Sequence, residues 1–244
     1  MPYYDNSRPS FWNSIPVVTR NLILINLIVF AATVIDERFL QDDFVTRYFA
    51  LFYPASPLFR FWQPLTHMFV HGGLMHIFFN MYTLLMFGAP VERAIGEKKF
   101  TVLYFLAGFG AAALHIGVQY LQLRGAAGSA AAVQDLFLTP TVGASGAVYG
   151  VLIAFAMLNP NATLVLLFPP IPLKAKWWVL IFAAIELFTG VTGTMDGIAH
   201  FAHLGGMVVG FLLMLYWRKS GKLWRYCPWQ KRKNTVSSRR SFSD

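Results

Sequence analysis

The sequence predicts an all-α polytopic membrane protein with six transmembrane helices and with both termini in the cytoplasm. The chain has 244 residues, of which 56% are hydrophobic, and its mean hydropathy is +0.51. Only 13% of the residues are charged, whereas a soluble globular domain contains about 25%. Apolar stretches long enough to cross a bilayer recur along the chain, and basic residues are distributed unevenly among the segments between them.

The intervals between charged residues locate the predicted spans. A helix needs about 20 apolar residues to cross the hydrocarbon core of a bilayer. The intervals predict six spans, at about 20–36, 66–88, 100–122, 145–158, 177–192 and 198–217. The longest interval, between Asp135 and Lys174, contains more residues than one span requires. Because proline breaks a helix, Pro160 and the prolines after Phe168 end the fourth helix near Leu158.

The basic residues predict the orientation of these spans. With six spans, the two termini share one side of the membrane, and that side receives most of the lysines and arginines. The opposite side receives Arg38, Arg47, Arg60 and Arg124. The positive-inside rule therefore places both termini in the cytoplasm. Residues 1–18 form the predicted N-terminal segment, 19–218 the six-helix domain and 219–244 a basic tail.

The net charge of +9 is concentrated in this tail. In a soluble protein such a charge would indicate nucleic-acid binding. Beside a membrane it indicates which side of the bilayer the tail occupies and contact with the anionic lipid bilayer. The tail also contains Cys227, the only cysteine, so an intrachain disulfide is excluded. On the outer side, the loop from Asp36 to Trp62 is rich in aromatic residues, which suit the membrane interface.

Several polar side chains lie inside the predicted spans. Burying a polar group in a bilayer costs free energy, so such residues indicate function. They are His67, His71, His76 and Asn80 in the second span, Ser145 in the fourth, and His200 and His203 in the sixth. At about 1.5 Å per residue, His203 lies about 10 Å beyond Asp196. By the same measure, Asn80 lies about 18 Å from Glu92 at the cytoplasmic end. The polar groups of the three spans therefore converge in the outer half of the bilayer.

Small residues accompany the polar ones in two of the spans. They are Gly146 and Gly150 in the fourth span and Gly206 and Gly210 in the sixth. Stripes of glycine let two transmembrane helices approach closely. The two stripes therefore predict that the fourth and sixth spans cross and bring Ser145 within hydrogen-bond distance of His203.

Acyl transfer is the chemistry that these residue types fit. A serine needs a base to remove its proton, and a neutral imidazole is suited to this near pH 7. We expect Ser145 to be the nucleophile and His203 to be the base. The backbone N–H of Ser145, with His76 and Asn80, would stabilise the oxyanion. No aspartate lies within a span, and Glu186 in the fifth span is interpreted as structural, so the prediction is a Ser–His dyad.

Each of these residues also has a simpler interpretation. A serine in a glycine-rich helix start usually serves packing, and a lone histidine within a membrane usually bridges two helices. His67, His71 and His200 are assigned to that structural class, and His115 in the third span has no partner that the sequence identifies. The common depth of the serine, the amide and the remaining two histidines favours the catalytic interpretation.

Four motifs occur in a distinctive order along the chain. They are HGGLMHIFFN (71–80), the spacing Gly88…Glu92…Gly96, GASGAVYG (143–150) and AHLGGMVVG (202–210). Together they resemble the rhomboid family of intramembrane serine proteases, and the resemblance extends from Asn21 to Tyr216. It implies a six-helix core in which Ser145 is the nucleophile and His203 the general base. It also implies that the oxyanion is held by His76 and Asn80.

The resemblance implies further roles around the serine. Tyr149 matches the position whose ring packs against the catalytic imidazole, and Gly206 with Gly210 matches the close crossing of the fourth and sixth spans. Gly143 and Gly146 flank the serine and are expected to support the site. One departure is Gln63, where some bacterial members carry arginine, so the loop-stabilising role of that arginine is not assigned to this glutamine.

The resemblance also implies the substrate class. Single-pass transmembrane proteins would be cut in or near the extracytoplasmic end of their helix, with no cofactor or metal, and a bacterial inner membrane or plasma membrane is the expected location. The substrate helix must unwind, and water must reach a buried serine through a polar cavity. His67 and His71 are interpreted as lining that cavity. The glycine-rich loop 190–196 is interpreted as a mobile cap.

Three alternatives have less support. A non-proteolytic relative, acting as a membrane chaperone or dislocation factor, would lack the serine or the histidine, and this chain has both. A metal-dependent enzyme would need ligands, but no HExxH motif occurs and no carboxylate is expected near the histidines. A transporter would need internal symmetry or several charges at the midplane, where only Glu186 is available.

Overall fold

Long apolar helices make up most of the structure, which is a computed structural model describing residues 11–125, 129–165, 170–192 and 198–221. The helices are α1 (Val17–Ile35, continued by a π-helical turn over Asp36–Leu40), α2 (Leu74–Ile95), α3 (Glu97–Gly125), α4 (Ser145–Leu158), α5 (Ala175–Thr192) and α6 (Ile198–Lys219). Among the described residues, five helices are long and apolar enough to cross a membrane. The sixth, α4, has 14 residues and is about 21 Å long.

The outer surfaces of these helices are apolar. Ile28 on α1, Leu121 on α3 and Phe188 on α5 are each 66–67% exposed. Contiguous apolar surface of this kind would promote aggregation in water, whereas lipid solvates it. Together with the five spanning helices, this surface identifies a multi-pass membrane protein.

Some sequence predictions concern segments outside the described ranges. These are residues 1–10 of the predicted N-terminal segment, residues 193–196 of the predicted cap loop, and the basic tail from Lys222 onward with Cys227. The first three residues of the predicted cap are described, and they are helical, within the range 177–192 predicted for the fifth span. Gly190 belongs to α5, which continues to Thr192.

Short elements connect the long helices. The connecting helices are Phe11–Ser14, Phe44–Phe49, Gln63–Thr66, the 3-10 turn His67–Phe69, and Ala130–Leu138. The all-α prediction needs one correction, because Thr163–Val165 (β1) pairs in antiparallel fashion with Pro172–Lys174 (β2). The prolines of this segment prevent a helix, and a two-stranded sheet has only edge strands, where Pro172 is tolerated.

The second spanning helix differs from its predicted range of 66–88 at both ends. The chain is extended at Val70, and α2 begins only at Leu74, after two successive glycines that disfavour a helix. At the other end, α2 continues to Ile95, although it contains Pro90. A π-helical turn over Leu84–Gly88 precedes this proline, which lacks the N–H that a regular α-helix would use there.

The short helix α4 is enclosed by its neighbours, and glycines permit the contact with α6. A Cβ atom added to Gly206 would lie 1.9 Å from the carbonyl oxygen of Gly146. A Cβ atom added to Gly210 would lie 2.7 Å from the carbonyl oxygen of Gly150. Both distances are shorter than any non-bonded carbon–oxygen contact, so the two backbones touch along this crossing.

The glycines of α4 also face a second helix that the sequence did not predict, although Gly150 faces α6 as well, where its Cβ atom would lie 3.0 Å from the carbonyl oxygen of Gly206. A Cβ atom on Gly146 would lie 2.3 Å from the Cβ of Ala111, and one on Gly150 would lie 2.4 Å from the Cβ of Ala107. Both alanines belong to α3. The glycines of α4 therefore allow α3 to pack closely against it, and those of α6 allow close contact with the backbone of α4. Helix α4 is packed between the two helices.

The loop before α2 is organised by Gln63, which is fully buried. Its Oε1 accepts hydrogen bonds from the backbone N–H groups of Arg60 (3.0 Å) and Phe52 (3.4 Å). Its Nε2 donates to the carbonyl of Leu58 at 2.9 Å. The sequence left the role of Gln63 open, and the structure shows that its one amide both donates to and accepts from the surrounding backbone.

We expect Gln63→Leu to destabilise the protein by about 1–3 kcal/mol, because it leaves buried backbone groups without partners. The exposed Gln122→Leu on α3 is the matched control and should leave stability unchanged. Thermal unfolding in detergent micelles measures both variants. Equal melting temperatures for the two variants would contradict the anchoring role.

Candidate active site

Ser145 is the first residue of α4, and the segment before it is held from three sides. The Gly143 N–H donates to the carbonyl of His67 at 2.9 Å. The backbone of Thr141 pairs with that of Leu51 through hydrogen bonds of 2.8 and 2.9 Å. Thr141 Oγ1 also lies 2.6 Å from Nε2 of His115, which gives that histidine the partner that the sequence did not identify. The serine is thus presented by a fixed backbone.

The structure brings Ser145 and His203 into direct contact. Ser145 Oγ lies 2.8 Å from His203 Nε2, across the crossing of α4 and α6. The imidazole is 19% exposed, so the pair is mostly shielded by the surrounding helices. A hydroxyl and an imidazole nitrogen at this distance can transfer a proton, which is the requirement for a serine nucleophile with a histidine base.

The ring of Tyr149 packs against the imidazole of His203. The two ring centroids are 4.5 Å apart, and the ring planes differ by 15°. Tyr149 follows Ser145 by one turn of α4, so the same helix supplies the hydroxyl and the stacking surface. This contact restricts the rotation of the imidazole.

Glu186 on α5 completes a cluster that sequence reasoning did not predict. Its Oε1 accepts a hydrogen bond from the Tyr149 hydroxyl at 2.5 Å. Its Oε2 lies 2.6 Å from Nδ1 of His200 and 3.0 Å from Nδ1 of His203. His200 thus bridges two helices, as the sequence indicated, but its partner is this carboxylate. The available signal was that Glu186 is the only carboxylate in the interior of the fifth predicted span.

His76 lies beside the serine, with Gly143 between them. A Cβ atom on Gly143 would lie 2.7 Å from Nε2 of His76 and 3.7 Å from Oγ of Ser145. Gly143 also has a φ of +121°, which side chains disfavour. Glycine therefore keeps open a space that is bordered by an imidazole and by the hydroxyl. The Ser145 N–H at the start of the helix has no acceptor within α4.

Asn80 is buried on the same helix, but its amide faces its own backbone. Nδ2 of Asn80 donates to the carbonyl of His76 at 2.9 Å. The two residues share a face of α2, as their spacing predicted. Of the two side chains predicted to hold the oxyanion, the structure thus brings His76 to the serine and leaves the Asn80 amide hydrogen-bonded within α2.

His67 and His71 lie in the segment before α2 and are both buried. Nδ1 of His67 contacts the carbonyl of Gln63 at 3.0 Å, and Nδ1 of His71 contacts that of Phe69 at 3.3 Å. Burial lowers the pKa of both residues to about 4, so both imidazoles are neutral near pH 7. His71 also packs edge-on against the ring of His76, with centroids 5.0 Å apart. These contacts support the backbone and the His76 ring.

Glu186, His200 and His203 also form a group of the kind that can bind a metal ion. One ligand atom from each residue lies within 4.8 Å of the others. The expectation that no carboxylate lies near the histidines is therefore wrong, because the fold brings α5 against α6. In the described geometry, the oxygens of Glu186 accept hydrogen bonds from Tyr149 and His200.

The fold and this geometry define a class of protein, a multi-pass membrane protein with a serine–histidine pair held between its helices. The family model described as the Rhomboid domain matches residues 58–220, which is more than half of the chain. The chain belongs to the rhomboid family. The resemblance inferred from the four motifs is thereby confirmed.

The chain is similar to rhomboid proteins, including two whose names state a protease activity. Rhomboid protease AarA of Providencia stuartii is 26% identical over 226 residues, which cover 88% of this chain and 77% of that protein. Rhomboid-type serine protease 2 of Emericella nidulans is 32% identical over 158 residues, covering 64% of this chain and 26% of the relative. RHOMBOID-like protein 4 of Arabidopsis thaliana is 34% identical over 154 residues, which cover 62% of this chain and 33% of that protein. The chain thus aligns with a third or less of the length of the latter two relatives.

Proposed function

We propose that this protein is an intramembrane serine endopeptidase that uses Ser145 as its nucleophile and His203 as its general base. The observation that carries the proposal is the 2.8 Å contact between Ser145 Oγ and His203 Nε2. Membership of a family that includes named serine proteases supports the same activity.

The reaction proceeds through an acyl-enzyme. Nε2 of His203 takes the proton of Ser145 as Oγ attacks the scissile carbonyl, and the tetrahedral intermediate forms. The imidazolium then gives this proton to the departing amine, which leaves Ser145 esterified. Water then attacks the ester carbonyl while it gives a proton to the same nitrogen, and a second tetrahedral intermediate forms. When this intermediate collapses, the imidazolium returns the proton to Oγ and the carboxylic acid is released.

The oxyanion of the intermediate is stabilised by the backbone N–H of Ser145 and by His76. His76 Nε2 borders the space that Gly143 leaves open beside the Ser145 hydroxyl, and the Ser145 N–H stands at the start of α4 without an acceptor in that helix. Asn80 contributes as a third donor once its amide turns from the carbonyl of His76 toward the site. Gly146, Tyr149, Gly206 and Gly210 support the arrangement by packing.

The substrates are single-pass transmembrane proteins, cut in or near the extracytoplasmic end of their helix. Ser145 lies at the end of α4 that the positive-inside rule assigns to the outer side, with both termini in the cytoplasm and α4 as the fourth of six spans. A helix must unwind before a peptide carbonyl can reach the serine. We place the protein in a cell membrane, with the lipid bilayer and such substrates as its partners and without a metal cofactor.

Reconstitution into liposomes with a labelled single-pass substrate tests this activity. We expect cleavage that resists EDTA and that a fluorophosphonate blocks by labelling Ser145. Loss of cleavage on chelation would contradict the serine mechanism and favour the cluster of Glu186, His200 and His203 as a metal site. Binding of substrates without cleavage or labelling would favour a chaperone or dislocation function instead.

A further inference from the structure

Glu186 lies on the side of the His203 ring that faces away from Ser145. Building on the proposed function, we propose that Glu186 is a positioning residue that orients His203, so that the site works as a Ser–His–Glu triad. The carboxylate does not contact the reacting atoms. Its role is to hold the imidazole in the orientation and tautomer in which Nε2 can accept the serine proton.

The two ring nitrogens of His203 face different partners. Nε2 lies 2.8 Å from Ser145 Oγ, and Nδ1 lies 3.0 Å from Glu186 Oε2. For Nε2 to accept a proton, the neutral ring must carry its hydrogen on Nδ1. A carboxylate beside Nδ1 favours that tautomer, and it stabilises the imidazolium that forms when the serine is deprotonated.

The Nδ1 atom of His203 is buried, and its hydrogen-bond capacity is otherwise unused. Among the described residues it makes no hydrogen bond of good angle, and the 3.0 Å contact with Glu186 is the close polar contact that it has. Catalytic hydrogen bonds of this type are often poorly aligned before substrate binds.

The carboxylate of Glu186 is itself held in place. The Tyr149 hydroxyl donates to Oε1 at 2.5 Å, and His200 Nδ1 lies 2.6 Å from Oε2. The carboxylate is 8% exposed, so water does not compete strongly for its oxygens. Tyr149 also stacks on the His203 ring, and therefore a single side chain restrains both the imidazole and the group that orients it.

The contact with His200 suggests a purely structural alternative. In that case Glu186 would only tie α5 to α6 through His200, and its loss would lower stability without changing the chemistry. The rings of His200 and His203 are 6.2 Å apart and nearly perpendicular, so both can approach the same oxygen. The two roles are separated by measuring catalysis for folded protein.

The test compares Glu186→Gln and Glu186→Leu with the wild type in liposomes. We expect Glu186→Leu to lower kcat by about 10- to 100-fold with KM unchanged, because binding does not involve this residue while proton transfer depends on the ring orientation. Glu186→Gln retains an oxygen that can accept from Nδ1, so it should show a smaller loss. Activities are normalised to the folded fraction from size-exclusion chromatography.

Glu92→Gln is the matched control, since Glu92 is another buried glutamate within a spanning helix. Its oxygens accept from the backbone N–H groups of Val18 and Thr19 at 2.9 and 2.7 Å, at the start of α1. We expect this variant to lower the melting temperature while kcat of the folded protein stays unchanged. Replacing Glu186 is thus expected to lower kcat, whereas replacing Glu92 is expected to lower the melting temperature and leave kcat unchanged.

An unchanged kcat in folded Glu186→Leu, while Ser145→Ala is inactive, would overturn the positioning role and leave the proposed function intact. If the wild type cleaves no substrate, the proposed function fails, and 15N NMR of His203 then decides the positioning role by itself. A dominant Nδ1–H tautomer in the wild type that is lost in Glu186→Leu supports the inference. The same tautomer distribution in both proteins contradicts it.

Discussion

Replacing Ser145 with alanine is expected to abolish peptide-bond cleavage, with kcat lower by at least about 1000-fold. The hydroxyl is the atom that forms the acyl-enzyme, and no other described group takes its place against His203 Nε2. His203→Ala should lower kcat to a similar degree, and the double variant should be no worse than either single variant, because the two residues act as one unit. Liposome cleavage assays with equal amounts of folded protein measure the three variants.

Ser220→Ala is the control for the serine substitution. Its Oγ donates to the carbonyl of Trp217 at 3.2 Å near the end of α6, outside the site. We expect wild-type activity in this variant. Full activity of folded Ser145→Ala would exclude the serine mechanism, whereas activity that survives only in His203→Ala would show that another group serves as the base.

Replacing Gly206 with valine is expected to disrupt both the fold and the site. The first side-chain atom would lie 1.9 Å from the carbonyl oxygen of Gly146. The Cβ atom is fixed to the helical backbone of α6 and the oxygen belongs to that of α4, so α6 must move away from α4, at a cost of about 3 kcal/mol or more. The same displacement separates His203 from Ser145, and cleavage should fall by at least about 100-fold.

Gly206→Ala and Gly117→Ala provide a matched comparison. Gly117 lies on α3, and nothing lies within 4 Å of a Cβ atom added there. The alanine at 117 should leave stability unchanged or raise it by about 0.5–1 kcal/mol, because alanine is the better helix former. The alanine at 206 should lower both stability and activity. Similar melting temperatures and rates for the two variants would contradict the close crossing of α4 and α6.

Much of the helical framework could be predicted from local sequence. Apolar length and flanking charge predicted the long helices, and in the structure α4 runs from Ser145 to Leu158. The start of α2 was mispredicted by eight residues because hydropathy does not register the short turns around His67. Hydropathy measures solvation, whereas helix ends depend on the backbone preferences of glycine and proline.

The chemical types of the candidate site were also visible in the sequence. A serine at a helix start and a histidine beside a glycine stripe predicted a pair, and the structure brings Ser145 and His203 to 2.8 Å. The family followed from motifs in their order, and the domain match confirms it. These features can be recognised in the sequence because a polar group inside an apolar span costs free energy, so such groups are few.

The tertiary structure alone decided which polar groups meet. From the sequence, Glu186 was interpreted as structural, yet the packing of α5 on α6 brings its carboxylate to His200 and His203. The sequence assigned no anchoring role to Gln63, and only the structure shows that the loop folds around its amide. Spacing along one helix determines which side chains share a face, but contacts between helices depend on how their backbones cross. At the crossing of α4 and α6, the two backbones can touch because Gly206 has no side chain.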